Sequence, residues 1–127
     1  MTNINYSIGD FLVRIKNAAL AGKKEMEVDT TKLIESIAKV LKKEGILTEV
    51  KKKGDKLTVK LAYRKKEPIL MDLKIVSRPG LRIYMGADEL SAIKGPSYFV
   101  LSTPKGAMTS REAIKERIGG EVIVEIW

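Results

Sequence analysis

Cysteine and histidine are both absent from this 127-residue chain. Without Cys there is no disulfide and no thiolate metal ligand, and without His the commonest neutral-pH base and metal ligand is missing as well. Zinc is thereby excluded. A carboxylate-bound Mg²⁺ stays open in principle, but no acidic cluster in the sequence calls for one. Long apolar runs are also lacking: no stretch approaches about 18 residues, and the N-terminus has no apolar segment of the signal-peptide kind. A soluble, reducing compartment is the expectation, with no membrane partner.

What is present is charge and enough apolar material for a core. Hydrophobic residues make up 44% of the chain and charged ones 31%, so it should fold. The length suits one compact domain or two small lobes. The formal charge of +8 favours a polyanionic partner. That excess is unevenly distributed. Residues 1–66 hold sixteen basic and eight acidic side chains, whereas residues 67–127 hold eight of each.

Ser7 and Asp10 have capping-box spacing, and Ile8, Phe11, Leu12 and Ile15 follow at helical intervals towards Gly22, with Arg14 and Lys16 on the polar side. Glu25–Val28 alternates as a short strand. Asp29, Thr30 or Thr31 is placed to cap a second helix whose buried stripe is Ile34, Ile37, Ala38 and Leu41, ending at Gly45. Strand character returns at Ile46–Val50, Gly54-Asp55 turns the chain, and Leu57, Val59, Leu61 and Tyr63 alternate up to Arg64-Lys65-Lys66. Ile69, Met71, Leu73 and Ile75 repeat the alternation. Lys51, Lys52 and Lys53 fall at the hairpin tip, suited either to protecting a sheet edge or to nonspecific phosphate contact.

Pro79-Gly80 is a strong turn signal and sets the expected boundary between an N-terminal lobe, residues 1–76, and a C-terminal lobe, residues 77–127. Leu81–Tyr84 reads as a strand, Asp88–Ile93 as one or two helical turns, and Tyr98–Leu101 as another strand. Residues 102–109 are polar and turn-rich. Thr109 and Glu112 make a second capping box, opening a short helix through Arg117 that Gly119-Gly120 stops, and Val122, Val124 and Ile126 alternate in a closing strand. The fold class expected is α/β of the α+β kind. It comprises two small packed lobes, an N-terminal helix-strand-helix-hairpin and a C-terminal, mainly antiparallel sheet with short helices.

No catalytic constellation emerges. Neither Pro104-Lys105-Gly106 nor Arg78-Pro79-Gly80-Leu81 has the glycine spacing of a phosphate-binding P-loop, and a Ser102–Lys105 pair lacks an orienting group. The 102–109 segment has a better use. Hydroxyls on Ser102, Thr103 and Thr109 suit 2′-hydroxyls and base edges of the shallow RNA minor groove, Lys105 suits a phosphate, and Gly106 permits close backbone approach. A polar loop leading into a helix cap explains the same residues without a ligand. A duplex-DNA reader built on the second helix and the lysine-rich hairpin is a competing class.

Three segments bear on the choice: Ser77-Arg78-Pro79-Gly80-Leu81-Arg82-Ile83-Tyr84, then Leu101-Ser102-Thr103-Pro104-Lys105-Gly106-Ala107-Met108-Thr109, then Gly119-Gly120-Glu121. Together with Ile8-Gly9-Asp10-Phe11-Leu12, Arg14-Ile15-Lys16-Asn17 and Lys43-Glu44-Gly45, they resemble the small-subunit ribosomal protein eight family, in order and spacing, over nearly the whole chain. The resemblance implies a two-lobed, non-enzymatic protein without cofactor or metal. It implies binding to a helix in the central domain of small-subunit rRNA, support for that region's assembly, and contact with neighbouring small-subunit proteins. The resemblance also implies that a bacterial member can bind a similar structure in its own operon mRNA and repress its translation. By the same resemblance the RNA-contacting loop is Ser102-Thr103-Pro104-Lys105-Gly106, continued through Thr109; Tyr84 approaches the same RNA, and Arg14, Lys16 and Asn17 lie near rRNA backbone. The location implied is the cytoplasm, in a small ribosomal subunit of bacterial type, an organellar ribosome also fitting. Pro104 departs from the family's usual Ser-Thr-Ser-Lys-Gly, removing one hydroxyl and one backbone donor while stiffening the loop.

Overall fold

The computed structural model describes residues 7–127, Ser7 by its backbone alone, so the expected Ser7–Asp10 capping box lies outside the described residues. The chain forms two compact units that divide between Met71 and Asp72.

The N-terminal unit begins with α1 (Ser7–Leu20), β1 (Glu25–Asp29) and α2 (Lys32–Lys43), and continues with β2 (Leu47–Lys53) and β3 (Lys56–Leu61). Thr31 proves to be the cap of α2, its hydroxyl accepting from the Ile34 N–H at 3.2 Å. The strands form an antiparallel sheet in the order β1-β3-β2. Its apolar face is supplied by Val28, Leu57, Val59 and Leu61, and the helices bury Phe11, Leu12, Ile15, Ile34, Ile37 and Leu41. The two periodicities, 3.6 on the helices and 2 on the strands, therefore close one core.

Beyond Leu61 the chain departs from expectation. The alternation does not run on through Tyr63; a second, small hairpin follows, β4 (Tyr63–Arg64) paired with β5 (Glu67–Pro68). Nor do Ile69 and Met71 belong to an inward-facing strand. They are 38% and 81% exposed, and Leu70 between them is the buried residue. Apolar alternation over so short a run does not fix which phase faces in.

The C-terminal unit starts with β6 (Leu73–Ile75), which pairs with the last strand rather than extending the first lobe, so the units part before the Pro79-Gly80 turn. β7 (Tyr84–Met85), α3 (Ala87–Ala92), β8 (Tyr98–Thr103), β9 (Gly106–Thr109), α4 (Ser110–Glu116) and β10 (Gly120–Ile126) complete it. The sheet order is β6-β10-β8-β9, with β7 pairing the start of β10. Leu101, Met108 and Val122 stand opposite one another on the sheet and pack with Leu90 of α3 and Ala113 of α4. A bulge between Val122 and Val124 lets Val122, Ile123 and Val124 all be buried.

Arg78 and Leu81 exchange two backbone hydrogen bonds around the Pro79-Gly80 turn, but the regular strand expected at Leu81–Tyr84 forms only at Tyr84–Met85. Fully buried Ser77 secures this irregular stretch. Its hydroxyl donates to the Val122 carbonyl at 2.6 Å and accepts from the Ile83 N–H at 3.0 Å, satisfying two backbone groups that no ladder pairs.

Candidate nucleic-acid interface

Residues 102–109 are a tight hairpin rather than a loop. Thr103 and Gly106 face each other across Pro104-Lys105. Pro104 occupies the position of a turn where a fixed φ is an advantage and no N–H is required, and Gly106 has φ +110°, a conformation side chains resist. The Thr103 hydroxyl accepts from the Lys105 N–H at 3.1 Å and donates to the Gly106 carbonyl at 2.7 Å, cross-linking the turn. Thr109 is buried, and the capping box forms: its hydroxyl accepts from the Glu112 N–H at 3.3 Å while the Glu112 carboxylate reaches back to the Thr109 N–H, also at 3.3 Å. The helix it opens ends at Glu116, one residue short of the expected end, and Arg117 itself adopts the left-handed cap conformation.

Of the three hydroxyls, then, two have structural partners. Ser102 differs: it is part-exposed, and its hydroxyl has no partner among the described residues. Strand register gives it company. Tyr84 opposes Glu121, Glu121 opposes Ser102, and Ser102 opposes Ala107, so the four side chains form one row across β7, β10, β8 and β9. Directly opposed residues share a face, and the neighbouring row, Val122, Leu101 and Met108, points the other way into the helix-covered core. Tyr84 is 67% exposed.

Gly119 and Gly120 do not end α4 so much as let β10 enter this row. A Cβ on Gly120 would lie 2.2 Å from the Ser102 carbonyl oxygen, and one on Gly119 would lie 2.5 Å from that of Met85. Glu121 is held by Arg82, Nη1 to Oε2 3.2 Å, which offsets an acidic charge in the middle of the row. Lys105 reaches Glu116 of α4 at 3.3 Å.

Residues 6–127 match the family described as Ribosomal protein S8. The chain belongs to that family. It is 44% identical over 131 residues to the small ribosomal subunit protein uS8 of Thermosynechococcus vestitus, with 98% of each chain covered. The protein of the same name from Persephonella marina is also 44% identical over 131 residues, covering 94% of this chain and 96% of the relative. That of Nitratidesulfovibrio vulgaris strain DP4 is 40% identical over 121 residues. Membership in this family is membership in a structural class of ribosomal protein.

For this S8-family chain the N-terminal candidates are distributed unequally. Arg14 and Asn17 line one shallow depression of about 310 Å³ with Ala18, Ala21, Lys23 and Met26, and the Arg14 guanidinium donates to the Glu27 carbonyl at 3.4 Å. Lys16, two residues along α1 from Arg14, falls off that stripe. Strand alternation also divides the lysine run. Lys51 and Lys53 point with Thr58 and Lys56 to the open face of the sheet, while Lys52 lies opposite Leu57 on the helix side, 3.7 Å from Glu35 of α2. Lys51 is engaged by Glu49 at 2.9 Å, and this hydrogen bond, then the pair's Coulomb attraction, raises the ammonium above its ordinary pKa. Lys53 alone of the three has no ion-pair partner among the described residues.

Glu121, Arg82 and Ser77 did not stand out in the sequence as site residues. The alternation of Glu121 and Glu125 with valines placed Glu121 on a strand's polar face; nothing local pairs Ser77 with a residue 45 positions away. Among the described residues no three carboxylates converge as a metal-ligand set, and no helix is long and apolar enough to cross a membrane.

Proposed function

We propose that this protein binds a helix of the central domain of small-subunit rRNA through the row Tyr84–Glu121–Ser102–Ala107, and that it supports assembly of that region. The register that sets these four side chains on one face carries the reading. A flat row of one exposed aromatic, one free hydroxyl and one small residue suits the shallow RNA minor groove, where 2′-hydroxyls and base edges lie close to the surface. Ser102 donates to or accepts from a 2′-hydroxyl, the Tyr84 ring packs on a sugar or base, and Ala107 with Gly106 lets the backbone approach. Lys105 exchanges Glu116 for a phosphate. Thr103 and Thr109 act indirectly, by holding the turn and the helix behind it. Arg14, Asn17 and Lys53 add phosphate contacts that carry little sequence information. The site is cytoplasmic, within a small subunit of bacterial type, and the operon mRNA binds where it presents a similar helix.

Filter binding of the full chain to a central-domain rRNA helix, its scrambled version and duplex DNA of equal length tests this. The matched helix should win, and Ser102→Ala should narrow its advantage over the scrambled one. Preference for DNA would overturn the reading. The duplex-DNA class is disfavoured because Lys51, Lys53 and Lys56 lie on the sheet face away from the second helix that would have to serve with them as the reader.

A further inference from the structure

We propose that the N-terminal unit carries a second RNA site, a pocket beside Tyr63 that takes one unstacked nucleotide with its phosphate between Lys24 and Lys66. The choice of RNA as ligand rests on the ribosomal reading above; the pocket itself does not.

The pocket has a volume of about 570 Å³ and is lined by Lys24, Thr48, Lys60, Leu61, Tyr63 and Lys66, with Gly22 at its edge. That size lies within the range of roughly 300–1,000 Å³ over which small-molecule sites occur. Its aromatic wall is the Tyr63 ring, and the buried Leu61 borders it from the core side. The ring is held in place because its hydroxyl donates to the Lys23 carbonyl. Lys60 is tied to Glu49 at 3.1 Å, but Lys24 and Lys66 have no ion-pair partner among the described residues. A fixed aromatic face beside two unneutralised ammonium groups matches a nucleotide, which has a π-face and a phosphate a few ångströms apart.

The backbone supplies an independent observation. Lys65 and Lys66 are the central residues of the two-residue turn between Arg64 and Glu67, with φ of 53° and 71°. Such a turn, left-handed at both centres, is the one that Asn-Gly forms with least strain. Protection of a sheet edge accounts for lysine as a charge, but not for lysine held twice in a conformation it resists. Strain of this kind at an exposed turn points to a side chain being aimed. Lys66 is aimed at the pocket.

The test uses the full chain carrying Lys65→Asn and Lys66→Gly together. Because Asn-Gly suits this turn better, the variant should melt at or above the parent's temperature. It should bind a fluorescent single-stranded oligouridylate roughly tenfold more weakly, as expected for losing phosphate contacts and the stacking they support. The log-log salt slope should flatten by about 0.7 for each lost phosphate contact. A 4-thiouridine oligonucleotide should crosslink within residues 60–66 of the parent protein. Discrimination between matched and scrambled rRNA helices should be unchanged in the variant, so loss of discrimination by the parent itself would mark failure of the other site's reading. Unchanged oligouridylate affinity, or crosslinks confined elsewhere, would overturn the pocket. So would equal displacement by duplex DNA or by an acidic peptide, which would make it a generic cationic patch or a protein contact.

Discussion

Ser102, Thr103 and Thr109 are three hydroxyls in one eight-residue segment, and their substitution should separate binding from stability. Thr109→Ala removes the cap of α4 and leaves the Glu112 N–H without its acceptor, which costs roughly 0.5–2 kcal/mol. Thr103→Val keeps shape but removes both hydroxyl bonds across the turn. Water reaches the exposed Lys105 and Gly106, so the cost should stay near 0.5–1.5 kcal/mol. For a chain of this length about 1 kcal/mol corresponds to roughly 4 °C in Tm, so both losses are readable. Ser102→Ala breaks no bond to the described residues and should leave Tm within about 1 °C, since surface changes of this kind stay near ±0.5 kcal/mol. Its effect belongs to binding, a loss of about two- to tenfold on the matched helix, equivalent to one hydrogen bond of roughly 0.5–1.5 kcal/mol. Thermal melts paired with filter binding at a temperature where every variant is folded would decide it. If Ser102→Ala lowered Tm as much as Thr109→Ala, or if Thr103→Val lost affinity with no loss of stability, the division of roles would be wrong.

Three further outcomes follow from the same geometry. Gly120→Ala must push β10 away from the Ser102 carbonyl, so it should cost about 1–3 kcal/mol and also reduce matched-helix affinity; a variant with parental Tm would contradict the close approach. Lys53→Gln should flatten the salt dependence of RNA binding by about 0.9, whereas Lys52→Gln should change it little because Lys52 turns towards α2; equal slopes for the two would refute the split of the run. The Lys56 ammonium donates to Asp29, and this bond, then their Coulomb attraction, holds the Asp29 carboxyl below its ordinary value; Lys51 and Lys60 do the same for Glu49. A depressed carboxyl stabilises the fold above its ordinary pKa and loses that contribution as pH falls through the lowered value. Asp29→Asn and Glu49→Gln should therefore lower Tm slightly at pH 7 and match the parent in acid, and a gap that persisted in acid would refute the ion-pair origin.

Local order was legible in the residues themselves. The stripe Ile34, Ile37, Ala38 and Leu41, the Thr109–Glu112 capping box and the Gly54-Asp55 hairpin each depend on spacings of two to four positions, and the chain's geometry repeats over that distance. Family resemblance likewise singled out Ser102 and Tyr84 from motif residues alone. Tertiary structure decided which hydroxyls are occupied, because Thr103 and Thr109 are used by atoms whose positions depend on a closed turn and a formed helix. It also decided which neighbours share a face. Tyr84, Glu121 and Ser102 are separated by as many as 37 residues in the chain and adjoin only through register, a property of paired strands that no single strand contains. The same holds for Ser77, whose partners are backbone groups defined by the sheet around it. Sequence alone therefore determined the charge, the two long helices and the Thr109–Glu112 cap, while long-range pairing determined the short strands and the surface, since it requires distant segments to meet before any row of side chains exists.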